Sequence, residues 1–318
     1  MTTVSQVRPD EAEGAPPRRR PSWRRQETRA AFLFLTPWII GFLVFTAGPM
    51  VASLILSLTD YDILSSPRFV GLANYRELAS DPDVLRSLGN TVFYTALHVP
   101  LSMALALAVA LLLVRLSRGS AFFRAVVYLP VMTPPVAIGA LFLLLLNGQT
   151  GLINAGLGLL GIDGPQWTTD PGWIKPGIVL MSLWTIGGSV VIFLAALREV
   201  PAELYEASTV DGASAWHRFR YVTLPMISPS LFFVLIVNTI GSLQMFAEVY
   251  AMYFGTGTTR SSTGDAALFY VVYLFQQAFQ FLHMGYASAM AWLLFLVVLV
   301  ITLIQVRVSR RFVYYEGE

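Results

Sequence analysis

Six long apolar runs alternate with polar segments along this 318-residue chain, and they restrict its fold more than any other feature. A helix needs about 20 mainly apolar residues to cross a bilayer. Inside lipid, every backbone N–H and C=O must also be bonded within the protein. The runs therefore predict spanning helices. They are Ala30–Ser57, Thr91–Val114, Phe122–Leu146, Ile174–Leu197, Met226–Tyr250 and Gly285–Val306.

The composition agrees with this interpretation. Charged residues make up 13% of the chain, whereas soluble domains carry roughly 25%. The predicted fold class is all-α, a polytopic membrane protein with six transmembrane helices.

The arginines predict how these helices are oriented. Six spans leave both termini and residues 115–124 and 198–225 on one side, and that side holds sixteen of the twenty-one basic residues. Cytoplasmic segments are rich in Lys and Arg, so we expect both termini to be cytoplasmic. A seventh span at Ala266–Phe281 would place the last arginine cluster outside, and Gln276 and Gln277 interrupt it. That segment suits an interfacial or re-entrant helix better.

The same boundaries predict the domain organisation. Residues 1–29 are rich in Arg, Glu and Pro without apolar periodicity, which indicates a disordered cytoplasmic tail rather than a cleaved signal peptide. Residues 30–308 form the transmembrane domain, with a cytoplasmic loop at 201–225. Residues 309–318 form a short cytoplasmic tail.

The charged loop Pro201–Pro225 predicts two short helices around a bend. Its first proline suits a first helical position, and Glu203 and Glu206 complement the helix dipole. Gly212 can adopt the left-handed conformation that ends a helix, and a second helical run follows at Ala213–Tyr221. Such a loop either lies at the lipid interface or docks in a protein groove. Its mixture of acidic and basic residues favours the groove.

Residues 206–225 follow the pattern EAS-x3-G-x9-V-x-LP. This pattern is similar to the EAA loop of the permease subunits of binding-protein-dependent ABC importers, with Ser208 in place of Ala and Val222 in place of Ile. The Asp211-Gly212-Ala213 version resembles the carbohydrate branch. FVGLANY at 69–75, FFRAVVYLP at 122–130 and GYASAM at 285–290 extend the resemblance over all six spans.

This resemblance implies that the first short helix of the loop inserts into a cleft of an ATP-binding subunit. The residues expected to make the coupling contact are Glu203, Leu204, Tyr205, Glu206, Ala207, Ser208, Asp211, Gly212, Ala213, Leu224 and Pro225. It also implies a second permease in a heterodimer, two ATP-binding subunits and an external solute-binding protein. The cargo would be a sugar, and the location would be the bacterial plasma membrane, as a multi-pass protein in contact with lipid. No nucleic acid is expected.

The sequence contains no nucleotide-binding motif. A phosphate-binding loop needs Gly-x4-Gly-Lys-Ser/Thr, and the single lysine, Lys175, lies between Ile174 and Pro176. ATP and Mg are therefore expected on the partner ATPase only. The chain has no cysteine and three separated histidines, so we expect no metal site, no cofactor on this chain and no catalytic activity.

Polar side chains at membrane depth are costly in lipid and mark candidate translocation paths. Asn238 and Ser242 share one face of the fifth span, whereas Gln244 and Glu248, near its outer part, lie to one side of that face. Amide and hydroxyl groups beside aromatic rings suit a sugar. The predicted substrate path comprises Trp184, Gly188, Asn238, Ser242, Gln244 and Met245. Each of these residues, taken singly, also fits helix–helix packing.

Three classes of function remain open at this stage. The first is a permease subunit that imports a sugar or oligosaccharide by alternating access, with glycerol phosphate or a polyol as another cargo. The second is an ion-coupled secondary transporter, which typically uses buried carboxylates and inverted repeats. The third is a membrane enzyme, which requires a clustered acid, base, nucleophile or metal.

Overall fold

A computed structural model describes residues 23–116, 118–254, 262–310 and 313, and within them the chain is almost entirely helical. The α-helices are α1 (Trp23–Phe42), α2 (Gly48–Leu56), α3 (Ala73–Ser80), α4 (Pro82–Arg115), α5 (Ser120–Tyr128), α6 (Pro135–Leu145), α7 (Leu152–Leu159), α8 (Pro171–Leu183), α9 (Gly187–Glu199), α10 (Ala202–Val210), α11 (Ala215–Arg218), α12 (Leu224–Met226), α13 (Ser228–Leu243), α14 (Ala247–Tyr253), α15 (Ser262–Ala267), α16 (Tyr270–Phe275) and α17 (Met284–Ser309).

Short irregular elements join some of these helices. π-Helical turns cover Leu43–Ala47, Phe219–Thr223 and Gln276–Gln280, and a 3-10 turn covers Leu129–Met132. A two-residue antiparallel hairpin pairs β1 (Thr59–Asp60) with β2 (Arg68–Phe69), Thr59 lying opposite Phe69.

The helices supply the predicted number of spans. Four stretches are long and apolar enough to cross a membrane, namely Ala31–Leu56, Pro82–Arg115, Ser228–Tyr253 and Met284–Ser309. Two pairs of shorter helices qualify when taken together: α8 with α9, bent by 50°, and Ser120–Met132 with α6, bent by 98°. Counting each pair once gives six spans among the described residues.

The 98° bend corrects the third predicted span, Phe122–Leu146, which is not one continuous helix. Thr133 and Pro134 both precede a proline and are extended, with ψ of 132° and 136°. A proline disfavours the α conformation at the residue before it and provides no N–H for the helix. The Pro134-Pro135 pair therefore breaks the span.

The N-terminal boundary also differs from the prediction. The described residues divide into two units, with the boundary between Ser53 and Leu54. In the first unit, α1 begins at Trp23, so residues 23–29, assigned to the disordered tail by sequence, are helical. Arg and Glu are good helix formers and extend the helix beyond its apolar part. Residues 1–22 and most of 309–318 lie outside the described residues.

In the second unit, α4 is the central helix, in contact with α8, α9, α13 and α16. It starts at Pro82, nine residues before the predicted Thr91, because Asp81 caps it: Asp81 Oδ1 accepts the Asp83 N–H at 2.8 Å. Its 34 residues span about 51 Å, against roughly 30 Å for the hydrocarbon core. A helix of this length extends beyond the hydrocarbon core. Following the orientation predicted from the arginines, we call the Pro82 end of α4 the outer end of the unit and the Arg115 end the inner end.

Two apolar clusters form the core of this unit. The first cluster lies toward the outer end and includes Tyr94, Phe142, Ile178 and Tyr270. The second cluster lies toward the inner end, where Ala106 and Leu113 of α4, Phe193 and Leu197 of α9, and Ile227 and Val234 near α13 pack together.

The segment Ala266–Phe281 is not among the helices long enough to span the membrane, as predicted, and it packs into the unit. Its residues 267–270 are buried in the first cluster. Side chains of α4 fix its backbone: Asn90 Nδ2 donates to the Asp265 and Leu268 carbonyls at 2.9 and 3.1 Å, and Thr91 Oγ1 accepts the Tyr270 N–H at 2.9 Å. The bonded residues of α4 and of this segment are about 180 positions apart in sequence, so residue patterns within one segment could not predict these contacts.

A half-buried carboxylate joins three elements at the outer end. Asp81 Oδ2 accepts hydrogen bonds from the Tyr273 and Tyr286 hydroxyls at 2.7 and 2.6 Å. Gln277 Nε2 donates to the Tyr273 hydroxyl at 2.8 Å. Burial alone would raise the pKa of Asp81, but the hydrogen bonds from Tyr286, Tyr273 and the Asp83 N–H together lower it below 3.8. Burial and the bond to Asp81 raise the pKa of Tyr273.

Replacing Asp81 should weaken this junction in a pH-dependent manner. The Asp81→Asn side chain keeps one acceptor oxygen, so either the two tyrosine hydroxyls or the Asp83 N–H loses its acceptor. We therefore expect a loss of about 2 kcal/mol in the free energy of unfolding. Folding lowers the pKa of Asp81, so its carboxylate stabilises the native protein fully above pH 3.8. That stabilisation is lost as the pH falls through the pKa of Asp81 in the folded protein. Thermal unfolding in detergent at a series of pH values measures both effects. Asp62→Asn, in an exposed turn, is the control, and equal melting temperatures for the two variants would contradict the role of Asp81.

Candidate functional site

A cavity of about 510 Å³ opens where α4, α8, α13 and α14 meet. Its wall is formed by Tyr94, His98, Pro135, Ser182, Thr185, Val237, Asn238, Gly241, Ser242, Gln244, Met245, Phe246, Ala247 and Glu248. Pockets for small molecules have this size range and combine an apolar lining with a few polar groups.

The cavity lies at a level between the two apolar clusters. On α4, the wall residue His98 lies between Tyr94 of the first cluster and Ala106 of the second. On α13, the wall residue Asn238 follows Val234 of the second cluster, and the chain then runs on to the first. A polar layer thus separates two apolar layers along both helices.

Hydrogen bonds between spans hold the polar wall in place. The Tyr94 hydroxyl donates to Ser182 Oγ at 2.8 Å, which joins α4 to α8. His98 Nδ1 and Ser242 Oγ lie 2.9 Å apart, which joins α4 to α13. The Tyr94 and His98 rings also stack at 5.1 Å with an interplanar angle of 6°. Buried polar groups at this depth need such partners.

The Asn238 amide in the wall makes two long hydrogen bonds. Its Nδ2 lies 3.4 Å from Ser102 Oγ and 3.5 Å from Ser189 Oγ, at the long limit of hydrogen bonding. The side chain touches α4 and α9 and faces the cavity as well. Packing and ligand contact are thus compatible at this residue.

A break in the fifth span shapes the outer part of the wall. α13 ends at Leu243 and α14 starts at Ala247, with Phe246 in an irregular conformation between them. Since the break changes the helix register, Glu248 of α14 lines the same cavity as Asn238 of α13. Sequence periodicity placed Glu248 beside the Asn238 face because it assumed an unbroken helix.

α14 is positioned by close contact with α6. An added Cβ at Gly139 would overlap the Glu248 carbonyl oxygen and lie 3.0 Å from Ala251 Cβ. Only a glycine lets the two helices approach this closely.

The structure brings together four of the six predicted path residues, Asn238, Ser242, Gln244 and Met245. The other two, Trp184 and Gly188, are not part of this wall. Trp184 lies against Phe142 at 5.6 Å between ring centroids. A Cβ added at Gly187 would overlap the backbone of Val127, whereas a Cβ added at Gly188 meets nothing within 4 Å.

Sequence reasoning did not assign Tyr94, His98 or Ser182 to the path. All three are polar groups within apolar runs, the signal that singled out Asn238, and it could have identified them. Sequence patterns do not show that spans two, four and five pack against one another.

The charged loop at the inner end folds as a short exposed helix. In α10, Glu206, Ala207 and Val210 are exposed and no residue is buried. Gly212 has a φ of +74°, the left-handed conformation that the sequence predicts. The Ala213 N–H bonds to the Ser208 carbonyl at 2.9 Å, and the Gly212 N–H to Thr209 at 3.1 Å, which together form a Schellman motif.

The second part of this loop is only partly as predicted. α11 covers Ala215–Arg218, and the π-helical turn Phe219–Thr223 continues it toward α12. Leu224 and Pro225, placed among the coupling residues by resemblance, are half-buried at the start of α12 rather than exposed on the loop.

Tyr205 attaches α10 to the body of the unit. Its hydroxyl lies 3.0 Å from Thr223 Oγ1, and its ring packs against the second cluster. Arg218 Nη1 adds a bond to Thr209 Oγ1 at 3.0 Å. One side of α10 is thus held by the spans while Glu203 and Glu206 stay exposed.

Among the described residues, no group of three His, Cys, Asp or Glu side chains is arranged to hold a metal ion.

Comparisons with known proteins agree on one family. The profile of the family described as "Binding-protein-dependent transport system inner membrane component" matches residues 99–314. The probable ABC transporter permease protein YesP of Bacillus subtilis is 39% identical over 92% of this chain and 94% of its own length. The lactose transport system permease protein LacF of Rhizobium radiobacter is 34% identical over 92% and 97%.

The fold also matches a solved transporter. A chain of a bacterial ABC transporter involved in the import of the acidic polysaccharide alginate aligns with a TM-score of 0.78 and 26% identity, covering 91% of this chain and 98% of that one. A crystal structure of the alginate transporter with an alginate pentasaccharide-bound periplasmic protein aligns with a TM-score of 0.80.

The close approach of α6 and α14 gives a test of how the cavity wall is positioned. We expect Gly139→Ala to lower the free energy of unfolding by about 1–3 kcal/mol, because the added methyl group overlaps α14. Gly241→Ala is the matched control, since a Cβ there meets nothing within 4 Å, and it should be neutral or slightly stabilising. Thermal unfolding of both variants in detergent measures the difference. A Gly139→Ala variant as stable as the control would show that α6 and α14 are not in close contact.

Proposed function

The chain belongs to the family of binding-protein-dependent transport system inner membrane components, and we propose that it is the subunit through which an ATP-driven importer carries a sugar or oligosaccharide across the bacterial plasma membrane. The observation that carries this proposal is the open cavity bordered mainly by spans two, four and five, whose polar wall residues lie between two apolar clusters. The names of LacF and of the alginate transporter support a saccharide as the cargo.

The chemistry of the cavity suits a saccharide. Asn238, Gln244 and Thr185 supply amide and hydroxyl groups that can donate to and accept from sugar hydroxyls. Phe246, whose ring is supported by Phe275 at 5.0 Å and Tyr250 at 5.2 Å, provides an apolar surface for a sugar ring.

We propose alternating access as the mechanism. A saccharide-loaded binding protein would dock at the outer end while ATP draws two ATP-binding subunits together at the inner end. The exposed surface of α10 would be held in a cleft of one ATP-binding subunit. Its motion would reach the spans through Tyr205, which contacts Thr223 and the second cluster. The cavity lies directly beyond that cluster.

The partners follow from the same proposal. A second permease would complete the path as a heterodimer with this chain, and two ATP-binding subunits would supply ATP and Mg. The solved alginate transporter in complex with its periplasmic protein supports an external binding protein.

The other cargoes and classes receive less support. Glycerol phosphate would call for a cationic partner, and the cavity wall contains neither Lys nor Arg among the described residues. An ion-coupled transporter is disfavoured by membership of the family.

The glycine bend after α10 tests the coupling role. Proline cannot adopt a φ of +74° and lacks the N–H that bonds to Thr209. We therefore expect Gly212→Pro to reduce saccharide uptake roughly tenfold or more while the protein remains in the membrane. Uptake of a radiolabelled panel of lactose, galactotriose and mannotriose by cells with the full importer measures this.

A second glycine provides the matched control for this variant. Gly161 has a φ of +73° and ends α7 with the same pair of hydrogen bonds, on the outer side of the unit. Gly161→Pro imposes equal backbone strain away from α10 and should leave uptake far less affected. Equal losses in the two variants would contradict a specific coupling role for the α10 bend.

Charge reversal on the exposed face of α10 is an independent test. Glu206→Lys changes no buried contact, so we expect normal membrane content and a melting temperature within about 1 °C of the native protein. ATP hydrolysis by the reconstituted importer should no longer respond to the loaded binding protein. Glu77→Lys, an exposed reversal on α3, is the control, and coupled hydrolysis in the Glu206 variant would refute the contact.

A further inference from the structure

We infer that Glu248 makes this cavity select uncharged saccharides over acidic ones. The inference rests on the proposed function, because it concerns the saccharide that would pass through the same cavity. Its basis is the charge of the wall and the way the fold fixes the charged residue there.

Glu248 is the one acidic side chain among the described residues of the cavity wall, which includes neither Lys nor Arg. The histidine in the wall, His98, has its Nδ1 engaged by Ser242 Oγ at 2.9 Å. No described cationic group of the wall is thus placed to pair with a ligand carboxylate. Glu248 would therefore repel a ligand carboxylate, and no cationic group of the described wall would offset that repulsion.

The position of Glu248 is set by packing on three sides. Its backbone lies against Gly139 of α6, and the next residue, Val249, is fully buried in the first cluster. Phe246, two residues earlier, is held between Phe275 and Tyr250. The half-buried carboxylate is therefore carried by a rigid segment rather than by a mobile loop.

The cavity is small enough for the charge of the Glu248 carboxylate to act on a ligand anywhere within it. A volume of about 510 Å³ corresponds to a width of roughly 8 Å, close to the Debye length at physiological salt. Between apolar layers the effective dielectric constant is lower than in water, so like charges repel more strongly. A sugar hydroxyl, in contrast, can donate to the Glu248 carboxylate in a charge-assisted hydrogen bond.

The comparisons show that the fold alone does not decide this property. The same fold occurs in an importer of the acidic polysaccharide alginate, and a relative over nearly the full chain is a lactose permease. Charge in the cavity wall is a means by which one fold can discriminate between such cargoes, since a like-charge contact disfavours the wrong ligand.

The native chain has no cysteine, which allows a test at the cavity itself, independent of what the external binding protein prefers. Gly241 lines the cavity, and a Cβ added there meets nothing within 4 Å. In membrane vesicles containing the full importer, Gly241→Cys would be labelled with a maleimide, with saccharides present as protecting ligands. Two matched pairs serve as probes: galactotriose with trigalacturonate, and mannotriose with the mannuronate trimer.

We expect the neutral member of at least one pair to protect the thiol at roughly tenfold lower concentration than its acidic partner. Glu248→Gln in the same background should largely remove that difference by improving protection by the uronate. Glu77→Gln, which removes one exposed acidic group on α3, should leave the difference unchanged.

Each contrary outcome has a distinct meaning. Equal or better protection by the uronates in the Gly241→Cys chain, or a preference that survives Glu248→Gln, overturns the role of Glu248 but leaves the saccharide path intact. Absence of protection by all four saccharides counts against a saccharide path in this cavity, and overturns the proposed function together with this inference.

Discussion

The hydrogen bonds that join spans two, four and five at mid-height are the interactions on which the rest of this structure depends. Polar side chains in lipid are costly unless they are bonded. The Tyr94–Ser182 and His98–Ser242 contacts meet this need between neighbouring spans. Because those partners are provided by the protein, these four polar side chains can border a cavity between two apolar clusters while they remain hydrogen-bonded. The apolar clusters above and below then fix the spacing of the same helices.

The two ends of the unit are attached to this layer in different ways. At the outer end, Asp81 ties the start of α4 to α16 and α17 through two tyrosine hydroxyls, which form a polar junction outside the hydrocarbon. At the inner end, α10 is attached mainly through Tyr205 and otherwise exposes its side chains. Hydrogen bonds thus join several helices at the outer end, whereas α10 at the inner end is an exposed short helix with few contacts to the spans. This asymmetry agrees with the proposed function, in which α10 would receive motion from an ATP-binding partner at the inner end.

Much of the architecture could be predicted from residue patterns because lipid imposes a simple rule on length and polarity. The number of spans and the left-handed Gly212 followed from apolar run lengths and from the stereochemistry of glycine. The errors arose where local rules compete. The Pro134-Pro135 pair breaks an apolar run that hydropathy reads as one helix, and the Asp81 cap begins α4 earlier than its apolar part. At the cavity, Asn238 and Ser242 were identifiable as polar residues at membrane depth, whereas Trp184 and Gly188 lie beside the bend between α8 and α9 and outside the cavity wall.

The sequence by itself determined that the chain is a helical membrane protein of a known transporter type with an exposed charged loop, since these properties depend on composition, run length and local motifs. Only the tertiary structure decided which polar side chains share one cavity. Tyr94, Ser182 and Ser242 come from three spans, and their contacts depend on how those helices pack. The break between α13 and α14 likewise placed Glu248 in the cavity wall. Helix periodicity is a property of one segment, whereas a binding site is a property of the contacts between segments.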